Sequence, residues 1–116
     1  MVYQKDLELH RNWAELMSNL KERIGQRPRD LNHVLYLIGI QELGKGMRDF
    51  SKEEKQDLMH IATCRLLATQ GFYSLEGIDE DGWPHWKKTK QIPKLNLSDQ
   101  EVLLKKCALD YFDEEF

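Results

Sequence analysis

The sequence predicts a mainly α-helical (α+β) domain of four helices, with one β-hairpin set between helices three and four. Three observations predict it. Apolar residues recur at helical spacing in four separate stretches, each bounded by capping residues, glycine or proline. A capping box opens the third stretch, at Ser51-Lys52-Glu53-Glu54. Beyond Gly71 the pattern shortens to strand-like segments around the acidic turn Asp79-Glu80-Asp81-Gly82. Residues 1–116 read as one domain, with the hairpin at about 72–88.

The first helix, about Asp6 to Ile24, places Leu9, Trp13, Leu16, Leu20 and Ile24 on one face, with Leu7 and Met17 widening the stripe. Gly25 and the Arg27-Pro28 step close it. Asp30 caps a second helix, from Leu31 to about Leu43. Its apolar residues cover more than one face, which makes it the most buried element. Gly44-Lys45-Gly46 makes a turn without the spacing or the Lys-Ser/Thr of a phosphate loop. The third helix buries Leu58, Ile61, Ala62, Leu66 and Leu67 and stops at Gly71. In the hairpin, a four-residue loop sets Leu75 opposite Trp86, Glu76 opposite His85 and Ile78 opposite Trp83. Pro84 cannot donate to a ladder, so the return strand is an edge there. Ser98-Asp99-Gln100-Glu101 reads as a second capping box, with Leu97 and Val102 as its hydrophobic staple. The last helix carries Val102, Leu103, Ala108 and Leu109 or Tyr111 inward.

Composition narrows the function classes. Seventeen basic against 20 acidic residues leave a net charge of −3, and clustered positive charge is what phosphate neutralisation requires. A nucleic-acid partner is therefore disfavoured. The longest apolar run, Val34 to Ile40, is far short of the roughly 20 residues of a membrane span. Neither a secretory leader nor a disulfide pattern is visible, and Cys64 and Cys107 read as small buried hydrophobes in a reducing, cytoplasmic compartment.

The text Arg65-Leu66-Leu67-Ala68-Thr69-Gln70-Gly71-Phe72-Tyr73, followed by Asp81-Gly82, resembles the end of a recognition helix running into a wing. Over about residues 31 to 90 the order of elements is similar to winged helix-turn-helix domains. Through Leu35 to Gly44 and Ser51 to Trp86 the chain also resembles small conserved bacterial proteins of no assigned function. That second resemblance implies no activity, cofactor or residue role. The first implies a nucleic-acid-binding regulator, which needs Arg48, Lys52, Lys55, Arg65, Lys87, Lys88 and Lys90 on one face. The acidic turn would meet phosphates with repulsion.

Two clusters are candidate interaction sites. Trp83, His85, Trp86, Lys87, Lys88 and Lys90 interleave aromatics with lysines, a composition that can stack bases or, through an exposed tryptophan, anchor a protein partner. The simpler reading has Trp86 packing the hairpin onto the helices, Trp83 partly exposed and the lysines solvated. The tail, with Tyr111, Phe112 and Phe116 among acids, resembles the Phe-terminated tip by which single-stranded-DNA-binding proteins recruit partners. The simpler reading is a helix end tucked against its own domain.

Catalysis finds little support. No serine lies in an elbow motif, and the cysteines sit among apolar neighbours that keep a thiol protonated. The steps Asp30-Leu31-Asn32-His33 and Asp57-Leu58-Met59-His60 put a carboxylate and an imidazole on one helix face, as carboxylate-bridged metal bundles do, with Glu15, Glu22, Glu42 or Glu101 to complete a set. Such spacings arise readily by chance among 20 acids. The expected role is thus a small cytoplasmic protein-interaction or adaptor module without cofactor, acting on a protein partner or as a homodimer. A winged-helix nucleic-acid binder and a helical metal-binding protein are the alternatives.

Overall fold

A computed structural model describes residues 2–115, with side chains described from 7 to 114. Four helices and one antiparallel hairpin follow in the order α1 (Val2–Ile24), α2 (Leu31–Leu43), α3 (Lys52–Ala68), β1 (Tyr73–Ile78), β2 (Pro84–Lys88) and α4 (Leu97–Glu115). The expected mainly α architecture, with its hairpin between the third and fourth helices, is what the chain forms.

The helix starts follow from side-chain oxygens that accept otherwise orphaned amides. Asp30 Oδ1 accepts the His33 N–H at 2.9 Å and opens α2 at Leu31. At α3 the capping box is complete. Ser51 Oγ accepts the Glu54 N–H at 3.1 Å, and Glu54 Oε1 accepts the Ser51 N–H at 2.9 Å. Helix α4 departs from expectation. Its cap is Asn96, whose Oδ1 accepts the Asp99 N–H at 2.8 Å, so the helix begins two residues earlier and Leu97 is left exposed, unable to staple to Val102. Asparagine caps as well as serine, and the earlier start gains a further half-turn of backbone hydrogen bonds.

Helices α2 and α3 form the centre. Val34, Ile38, Leu58, Ala62, Cys64 and Leu66 are essentially solvent-free. The two helices cross at Gly39, where an added Cβ would lie 2.6 Å from the Leu58 carbonyl carbon and 2.8 Å from its Cβ, with the Leu58 carbonyl oxygen closer still. Leu16, Met17 and Leu20 of α1 and Cys107, Ala108, Tyr111 and Phe112 of α4 complete the main core. Leu7, Leu9 and Ile24 of the α1 stripe lie outside that core, Leu9 half-buried and Leu7 and Ile24 exposed.

A three-helix polar link seals the C-terminal helix. Tyr111 Oη donates to Glu42 Oε2 at 2.7 Å, Arg65 Nε lies 3.5 Å from Glu42 Oε1, and the Arg65 guanidinium stands 5.2 Å from the Tyr111 ring centre. Tyr111 and Phe112 are buried. The tail therefore takes the tucked form over these residues, and Tyr111 and Phe112 are not presented as a free recruiting tip. Phe116 lies outside the described residues.

The hairpin is anchored at both ends. At its base, Thr89 N–H donates to the Phe72 carbonyl at 2.8 Å and Thr89 Oγ1 to the Gly71 carbonyl at 2.7 Å. At its tip, Trp83 packs on the second apolar cluster of Ile40, Leu43, Phe50 and Leu58, while Lys45 Nζ donates to the Asp81 carbonyl. The register differs from the expected one. Leu75 pairs with Trp86 as anticipated, but Gly77 pairs with His85 and Ile78 with Pro84, because Glu76 is an extra, bulged residue. The loop is therefore five residues, Asp79 to Trp83, closed by the Asp79 N–H donating to the Trp83 carbonyl at 2.9 Å.

Candidate functional site

The bulge and the anchored tip create a groove of about 470 Å³ between α3 and the hairpin. That is within the roughly 300–1,000 Å³ of ordinary ligand sites. From α3, Glu54, Asp57, His60 and Ile61 project into it; from the hairpin come Asp79, Trp83, Pro84, His85 and Trp86. Residues 54, 57 and 61 share a helix face by their spacing, so one stripe of α3 forms a whole wall.

Asp79 organises the opposite wall. Its Oδ1 accepts the N–H groups of Asp81 and Trp83, both at 2.9 Å, and its Oδ2 lies 2.8 Å from His85 Nε2. The His85 hydrogen bond first, and then the Trp83 amide, hold the Asp79 carboxyl below its ordinary value. One carboxylate thus rigidifies the loop and orients an imidazole. Glu54 is equally committed. The Ser51 N–H is the main cause of its lowered pKa, and Arg48 adds an ion pair at 3.5 Å. Asp57 differs: it is exposed and, among the described residues, has no hydrogen bond or ion pair.

The six residues of the expected interaction patch divide. Trp83, His85 and Trp86 line the groove. Lys87 and Lys88 lie toward the hairpin base, opposite Ser74 and Tyr73, and Lys90 Nζ sits 4.7 Å above the Phe72 ring. The expected Glu76–His85 pair is replaced by Asp79–His85, a consequence of the bulge. Trp86 Nε1 is sealed from solvent without a hydrogen-bond acceptor, so its half-buried indole leaves one polar group unsatisfied.

The basic residues that a nucleic-acid reader would need are partly spent elsewhere. Arg48 pairs with Glu54 and Arg65 with Glu42. Between α3 and the hairpin, where a winged helix would meet phosphates, stand three carboxylates and, among the described residues, no lysine or arginine.

Of the two carboxylate-histidine steps, the first serves local structure. Asp30 caps α2, and His33 Nδ1 accepts the Arg29 N–H at 3.1 Å. His60 Nε2 lies 3.6 Å from Cys64 Sγ. Among the described residues no group of three or more His, Cys, Asp or Glu is placed to hold a metal ion. Both cysteines are free and buried, and burial pushes the Cys64 thiol up to about 11, so no thiolate forms at neutral pH.

Among the described residues no helix is long and apolar enough to cross a membrane. No protein-family profile, curated protein or solved structure matches the chain.

Proposed function

We propose that this chain is a cytoplasmic protein-interaction module whose recognition surface is the groove between α3 and the hairpin. The observation that carries the reading is a pair of indoles, Trp83 and Trp86, on an anchored hairpin beside the uncommitted carboxylate of Asp57. Tryptophan in a pre-ordered, rimmed depression is the composition of interaction hot spots, because it contributes large contact area at little cost in side-chain entropy. The two reduced, buried cysteines fit a reducing compartment.

Site-specific photo-crosslinking in cells tests this. A photoreactive residue at position 85 should give an adduct of discrete mass that disappears with Trp83→Ala, whereas the same residue at exposed position Lys21 on α1 should not. The adduct mass also separates a second copy of the chain from a different partner. Equal labelling at both positions, or an adduct indifferent to Trp83, contradicts the reading.

A further inference from the structure

We propose that the α3–hairpin groove takes an arginine side chain presented by a basic segment of a partner protein. The inference rests on the interaction reading above and adds the chemistry of the partner.

The chain covers several of its own aromatic rings with cations. Arg48 stands 4.9 Å from the Phe50 ring centre, Lys90 4.7 Å from Phe72, Lys105 5.4 Å from Trp13 and Arg65 5.2 Å from Tyr111. Trp83 and Trp86, the two indoles of the groove, receive no such cation among the described residues. Indole is the side chain with the strongest attraction for a cation over its face. Among the described residues no lysine or arginine lines the groove, while three carboxylates do. Glu54 and Asp79 are already engaged within the chain, which leaves Asp57 as the carboxylate free to meet an incoming charge.

Guanidinium fits this arrangement better than ammonium. Its plane stacks on an indole while its edge donates two parallel hydrogen bonds to one carboxylate, a combination a compact ammonium cannot make. The groove, at about 470 Å³, is larger than one guanidinium fills, which leaves room for the peptide segment that carries the cation. The net charge of −3 favours the encounter with a basic segment.

The test uses the full chain labelled with ¹⁵N, reading the indole N–H signals of Trp83 and Trp86, with Trp13 on α1 as the internal reference. The probe is the peptide acetyl-Gly-Ser-Arg-Ser-Gly-amide. Saturable shifts are expected at Trp83 and Trp86 but not Trp13, with a dissociation constant on the order of 1 mM for so short a probe. Replacing its arginine by lysine, or by the neutral isostere citrulline, should weaken binding by about fivefold or more, and so should Asp57→Asn. Asp57 is exposed on a capped helix, so that variant keeps its fold. Equal binding of the citrulline or lysine peptide, no effect of Asp57→Asn, or no shift at all overturns the proposal. Should the peptide be silent while the crosslink at position 85 still forms and still needs Trp83, only the arginine assignment falls. Failure of both removes the interaction reading as well.

Discussion

Replacing Gly39 by alanine should destabilise the fold, although alanine is the better helix former by about 1 kcal/mol. The reason lies in where the new methyl would go. Its Cβ would stand 2.6 Å and 2.8 Å from the carbonyl carbon and Cβ of Leu58, against the 3.5–4.0 Å at which carbon atoms attract. Helices α2 and α3 must then separate by about 1 Å, which removes a quarter to a half of the dispersion attraction between facing atoms. The layer affected holds Val34, Ile38, Leu58 and Ala62, all solvent-free. Overpacking of this kind costs about 1–3 kcal/mol, and because backbone is part of the obstruction the upper figure of about 3 applies; less the gain in propensity of about 1, about 2 kcal/mol net remains. For a domain of this size that is roughly 6–12 °C in Tm. Thermal unfolding followed by circular dichroism reads it, with Gln41→Ala, on the exposed side of α2, as a control expected within about 0.5 kcal/mol of the parent. Adding Leu58→Ala to Gly39→Ala should give no rescue, since the obstruction includes the Leu58 carbonyl. A Gly39→Ala variant that melts at or above the parent temperature would refute the close crossing.

Three further outcomes follow from the same structure. Asp79 and Glu54 titrate below their ordinary values of 3.8 and 4.5, so the unfolded chain binds more protons in that region. The stability they contribute is present above about pH 4.5 and is lost as pH falls through and below 3.8, and an acid-unfolding curve should be flatter there in the Asp79→Asn, Glu54→Gln double variant. Tyr111→Phe should cost about 1–2 kcal/mol in urea unfolding, and a double-mutant cycle with Glu42→Gln should show coupling, because the phenol donates to that carboxylate. Additive effects would contradict the three-helix link. Cys64 should react with iodoacetamide at pH 8 far more slowly than an unfolded thiol, through burial and a pKa near 11; labelling as fast as in denaturant would contradict its placement.

The helices were legible because their signals are local. The Asp30 cap, the Ser51–Glu54 box and the 3.6-residue stripes act within a few residues of where they are read, and α2 and α3 start at the residues those signals name. The last helix shows the limit: Asn96 and Ser98 are both sound caps, and only the surrounding chain decides between them. Legibility fails where one residue shifts a register. Glu76 carries no mark of a bulge, yet the bulge moves His85 from Glu76 to Asp79 and lengthens the loop. A partial signal was present, since aspartate at the head of a turn readily accepts amides two residues on. The groove's α3 wall was hidden for another reason. Glu54, Asp57 and Ile61 come to line one groove with Trp83 only after the hairpin folds back, a juxtaposition that pattern along the chain does not encode. The tail's aromatics were ambiguous in sequence and are decided by Glu42 and Arg65, distant residues that cover Tyr111.

The most direct test of the central claim, that the α3–hairpin groove is where a basic partner segment binds, is a competition. With the photoreactive residue at position 85, the arginine peptide added in excess before irradiation should suppress the adduct in proportion to its occupancy, while the citrulline peptide leaves it intact. An adduct undiminished when the indole signals of Trp83 and Trp86 report saturation with arginine peptide would contradict the account.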